Sequence, residues 1–112
     1  DTEMDLSGDF GKLTVNGADT SLKFTGSLTE LIMDGADCEA ALICQTNPER
    51  ITMDGAGCEL NLHLPKECGY RVAMDGLGYD FHCDESNDAL VYGDQHCEID
   101  VSGLDCDVEI SY

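Results

Sequence analysis

The chain has 112 residues and a formal charge of −19, with 24 Asp plus Glu against five Lys plus Arg. Phosphate binding needs clustered basic residues, and Lys12, Lys23, Arg50, Lys66 and Arg71 are scattered along the sequence, which counts against nucleic acid and against an anionic membrane surface. The length suits one domain over residues 1–112, and no apolar run approaches the 18 residues of a membrane-spanning helix.

Residues 1–10 contain Met4, Leu6 and Gly8, and read as a partial N-terminal coil because Gly17 follows too soon for a second strand to fit. From there a triplet recurs: Val15-Asn16-Gly17, Met33-Asp34-Gly35, Met53-Asp54-Gly55, Met74-Asp75-Gly76 and Val101-Ser102-Gly103, its glycines 18, 20, 21 and 27 residues apart. Spacings of this size belong to a solenoid. Four residues before each glycine stand Leu13, Leu31, Ile51, Val72 and Ile99. Alternate residues after it are apolar too, such as Leu22 and Phe24 or Leu60 and Leu62. Alternation on both sides of a glycine predicts two short strands per coil, joined by a bend at which a Cβ is unwelcome. Helical spacing fits nowhere nearly so well. The expected fold is an all-β solenoid of about five coils.

The first full coil runs to Phe24 and turns at Thr25-Gly26-Ser27. The second ends at Cys44 and is closed by a corner containing Asn47-Pro48, where proline removes a donor and enforces an extended or turn backbone. The third spans Arg50 to Leu64, and the fourth Tyr70 to Cys83. An inserted loop at 84–95 carries the apolar patch Ala89-Leu90-Val91-Tyr92, and either a surface loop or a short extra strand over the stack accounts for it. The last coil, Cys97 to Tyr112, ends on an alternating strand with nothing polar to cap it. That edge is expected to pair with a partner or with a second copy of the chain.

Three of the seven cysteines, Cys38, Cys58 and Cys106, share one inward position three residues after the glycine, alongside Thr20 and Tyr79. Buried free thiols are the favoured reading, with a Cys38–Cys58 disulfide and metal ligation as alternatives. Asp34, Asp54 and Asp75 stand immediately before the bend and would stack at about 4.8 Å. Asp beside a glycine ordinarily serves turn geometry, and the alternative is a calcium site bridging the three carboxylates. Glu39, Glu59, Asp80 and Asp107 form a second outward column. His82-Cys83 and His96-Cys97 can each supply only one ligand, since strand neighbours point to opposite faces, and His63 is expected on the surface. No pair of carboxylates or Cys/His couple is marked out for catalysis, so no enzyme activity is expected; the alternative, an acidic carbohydrate-acting enzyme, needs two unlike carboxylates across a cleft.

The pattern apolar-x-apolar-Asp-Gly followed by alternating apolar residues resembles the bacterial adhesin-type domains also called toastrack β-solenoids, over roughly residues 4–112. The resemblance implies a single-stranded right-handed β-helix without catalytic residues or cofactor, on the outer side of a cell membrane and attached to membrane-spanning segments. The chain is accordingly expected to be part of a longer cell-envelope protein that binds other proteins or its own copies. The seven cysteines depart from this pattern, since they fit poorly with an oxidising exterior.

Overall fold

The computed structural model describes residues 2–65, 68–83 and 89–112, and these form one curled ten-stranded sheet without helices. In chain order the strands are β1 (Thr2–Asn16), β2 (Thr20–Asp34), β3 (Glu39–Cys44), β4 (Arg50–Ala56), β5 (Glu59–His63), β6 (Tyr70–Leu77), β7 (Asp80–Cys83), β8 (Val91–Tyr92), β9 (Cys97–Leu104) and β10 (Asp107–Ser111). β1 and β2 pair in parallel over almost their whole length, and each carries a glycine of positive φ at mid-strand, Gly8 (121°) and Gly26 (143°). These glycines divide both strands into two arms. The first arm of β2 continues into β3 and the second into β4, so the sheet grows outward in two arms at once.

The inward residues of both arms form continuous apolar files. Val15, Met33, Met53, Val101 and Met74 make one file, and Leu6, Phe24, Leu42, Leu62, Ile110 and Cys83 another. Leu31, Met33, Ile51, Met53, Leu60 and Ile99 are fully buried between them. Each such side chain contributes about 1.5–3 kcal/mol relative to exposure. Because strand alternation places every second residue inside, the polar residues between them face out, as the sequence pattern predicts.

Chain order and sheet order part company after β5. The first arm runs β1, β2, β3, β5, β10, β7, and the second β1, β2, β4, β9, β6, β8. The last two long strands are therefore inserted beneath β6 and β7. This corrects the expectation of an uncapped C-terminal edge: β10 is paired on both sides, with β5 and with β7. Charge favours this order in one column of the second arm, although the same order sets Asp34 beside Asp54 and stacks Glu39, Glu59, Asp107 and Asp80 in the first arm. Along one outward column of the second arm the register places Lys12, Glu30, Arg50, Glu98 and Arg71, five residues of alternating sign, and Arg50 Nη2 meets Glu98 Oε2 at 3.1 Å. Stacking in chain order would set Arg50 against Arg71 and Asp54 against Asp75, and like charges directly opposite are destabilising.

The sheet also shows the course of the first strand and of part of the insertion. Residues 2–16, read in part as a partial coil, make a full-length bent strand with Gly8 as its mid-strand bend. Of the insertion at 84–95, residues 84–88 lie outside the described residues, while Val91–Tyr92 forms the short strand β8, antiparallel to β6.

Candidate functional site

At the bends after the second arm the chain reads Gly35-Ala36-Asp37-Cys38 or a close variant, and each bend is stacked on the next. Backbone bonds continue through them, with Gly17 N donating to Asp34 O (3.0 Å), Gly35 N to Asp54 O (3.0 Å) and Gly57 N to Leu104 O (2.8 Å). The inward thiols complete this network. Cys38 Sγ donates to the carbonyl of Gly17 (3.2 Å), Cys58 Sγ to Gly35 (3.3 Å) and Cys106 Sγ to Gly55 (3.4 Å). A cysteine at this position is small enough for the narrow bend and satisfies a carbonyl that would otherwise be buried alone. All seven cysteines are thiols rather than disulfides and six are buried, Cys68 being half-buried. The favoured reading of the thiols is thus the one observed, and Cys38 and Cys58 are not bridged.

Burial pushes the Cys58 thiol up to about 11 and the Cys97 thiol up to about 12, from an ordinary value of 9.0. The folded pKa being raised, the stability tied to these thiols is present below about pH 9 and lost as pH rises through 11 and 12. The melting temperature should therefore fall steadily above pH 9, and native protein at pH 8 should lose at most Cys68 to iodoacetamide. A flat alkaline profile, or rapid labelling of several thiols, would contradict this placement.

Asp34, Asp54 and Asp75 lie exposed on the outer face of the second arm, as expected. Only two of them are brought together, however: Asp34 pairs with Asp54, and Ser102 stands between Asp54 and Asp75. Among the described residues, no group of three or more His, Cys, Asp or Glu side chains is placed to hold a metal ion. The residues that shape the bend are different aspartates, two positions after the glycine. Asp19, Asp37 and Asp105 have φ of 54–55°, and Gly57 and Gly78 take the same place in their bends at 68° and 74°. Asp and Gly share the left-handed region most readily, so this recurrence was a readable but unused signal.

The second outward column does assemble. Ser21, Glu39, Glu59, Asp107 and Asp80 occupy successive strands of the first arm, beside a cavity of about 370 Å³ lined by Glu59, Phe81 and His82 among others. A hydrogen bond from the protonated Glu59 carboxyl to Glu39 leads the causes that raise Glu59 above its ordinary 4.5, followed by burial and by the charges of Glu39 and Asp107. Stability linked to Glu59 is then present below 4.5 and lost as pH rises through its raised value. Glu59→Gln should raise the melting temperature at pH 7 by roughly 2–4 °C and leave it unchanged near pH 4. An equal shift at both values would show that charge repulsion is not the cause.

His82 and His96 are exposed while Cys83 and Cys97 are buried, so neither pair converges on a ligand. His63 is also exposed, with Nδ1 3.2 Å from Ser111 Oγ.

The two ends of the sheet differ most. At the β7 and β8 end an aromatic group covers part of the core: Tyr70 is 5.9 Å from Phe81 and 6.0 Å from Tyr92, which is 5.8 Å from Tyr112. Tyr70 Oη donates to Ala89 O (2.7 Å) and Tyr112 Oη to Cys68 O (2.6 Å), so this cap is both apolar and hydrogen-bonded. At the other end β1 pairs with β2 alone among the described residues. Its inward residues Met4, Leu6, Phe10 and Leu13 are only partly buried, with Phe10 edge-on to Phe24 at 5.5 Å. Fifteen residues of strand edge with the end of the core behind them form the candidate site.

No protein-family model, curated protein or solved structure matches the chain.

Proposed function

We propose that the chain is a non-enzymatic interaction module of a bacterial cell-envelope protein. It is built as a single-stranded right-handed β-solenoid of about five coils, and a protein partner adds a strand along β1. The observation that carries this reading is the contrast between the ends. An edge strand with unpaired N–H and C=O groups is a template for another strand, and natural sheets usually blunt it. Here one end is partly covered, by Tyr70, Tyr92, Tyr112 and the antiparallel β8 against Tyr70 and Arg71, with Met74 and Phe81 still only partly buried, whereas β1 has no such cover among the described residues and leaves the apolar files open at Met4, Leu6 and Leu13. The acidic charge of −19 suits such a surface by discouraging unselective sticking.

Photo-crosslinking side chains placed at Asp5 and Thr14 on β1, and at Ala41 and Thr52 in interior strands, test the reading in the native host. Adducts to another polypeptide are expected from the first two positions only. Equal adducts at all four, or none, would contradict a β1 interface.

A further inference from the structure

We infer that the partner received by β1 is a second copy of the same chain, paired antiparallel so that the first arm of each β1 lies on the second arm of the other. This inference rests on the reading of β1 as an interface. A bent strand meets its own copy most simply about a two-fold axis passing through the bend, because that rotation exchanges the two arms and keeps the inside in. With the axis between Asp9 and Phe10, Met4 falls opposite Val15 and Leu6 opposite Leu13, inward residue against inward residue along both arms, while at the axis itself the inward Phe10 meets the outward Asp9. Gly8 falls opposite Gly11, so the backbones meet near the bend without side chains between them.

The outward residues match as well. Glu3 faces Asn16, Asp5 faces Thr14 and Ser7 faces Lys12, leaving no carboxylate directly opposite another. Lys12 has Asp5 and Asp9 of the other copy as its diagonal neighbours, and the two-fold axis repeats this arrangement, offsetting part of the repulsion between two chains of −19 each. Head-to-tail stacking in continuous register is disfavoured because β8 and the tyrosines occupy the start of β6 at the opposite end, against Tyr70 and Arg71. The antiparallel contact closes on itself and ends at a dimer.

Sedimentation of the chain over a wide range of concentration should show a monomer–dimer equilibrium that tightens with salt. Lys12→Gln should weaken it by roughly tenfold. The decisive variant is Asp5→Cys/Thr14→Cys, both positions being exposed and outward. Mild oxidation is expected to join two chains through residues 5 and 14, as read by mass spectrometry, while either single substitution gives no more covalent dimer than the unsubstituted chain. Circular dichroism checks that each variant is folded. A folded chain that stays monomeric, or a dimer crosslinked equally through the single variants, overturns the inference. If that chain still gives β1-specific adducts to a different polypeptide in the host, the reading of β1 as an interface survives. If those adducts are also missing, both fall.

Discussion

Gly55→Ala is expected to cost on the order of 3 kcal/mol or more, enough to abolish most of the stability of a domain this size. Gly55 has φ of 143° and lies in the interior of the stack, between Gly35 and Gly103. A Cβ there would overlap the Gly35 carbonyl, whose carbon would be 2.7 Å away, and would approach Cys58 Sγ at 3.4 Å. The carbonyl is not free to yield, since it accepts the Cys58 thiol. Backbone strain and overlap therefore act together. Gly11→Ala, read at a protein concentration low enough for the chain to be monomeric, is the control: nothing in the chain lies within 4 Å of a Cβ at that position, and its φ is not in the positive range. Urea unfolding should show a change within about 0.5 kcal/mol for Gly11→Ala and a large loss for Gly55→Ala. Equal effects would mean that the bends are not stacked as described.

Leu60→Ala should cost about 3–5 kcal/mol, in the upper part of the range for such truncations. Leu60 is fully buried, and its neighbours in the inward file are Ala40 on one side and Val108 on the other. Ala40 is too small to fill the space, so a cavity would persist. Ala40→Leu in the same background should then restore part of the loss, because the two positions are adjacent strand partners. Denaturant midpoints of the single and double variants check this, and a double variant no more stable than Leu60→Ala would argue that the two side chains do not share a file.

The inward files were legible in the sequence because alternation is a local signal: Leu31, Met33, Ile51 and Met53 can be assigned without knowing what they pack against. Strand order was not, because the triplets around Met53 and Met74 are nearly interchangeable and each strand could stack on either. One feature that distinguishes them is pairwise charge, with Glu98 fitting between Arg50 and Arg71. That signal appears only when distant strands are compared. The same ambiguity moved the candidate site from the strand ending at Tyr112 to β1. Gly8 contributed, since it looks like the closing glycine of a coil until its pairing with Gly26 marks it as a bend within a strand. The bend-shaping aspartates Asp19, Asp37 and Asp105 were overshadowed by the more regular Asp34, Asp54 and Asp75.

Interstrand backbone Overhauser contacts in the second arm test the strand order most directly, because strands two places apart are about 9.6 Å from one another, beyond the reach of such contacts. Ile99 should show contacts to both Ile51 and Val72, with none between Ile51 and Val72 themselves. Contacts joining Ile51 directly to Val72 would restore stacking in chain order, put β9 and β10 at the far edge, and contradict the difference between the two ends that singles out β1.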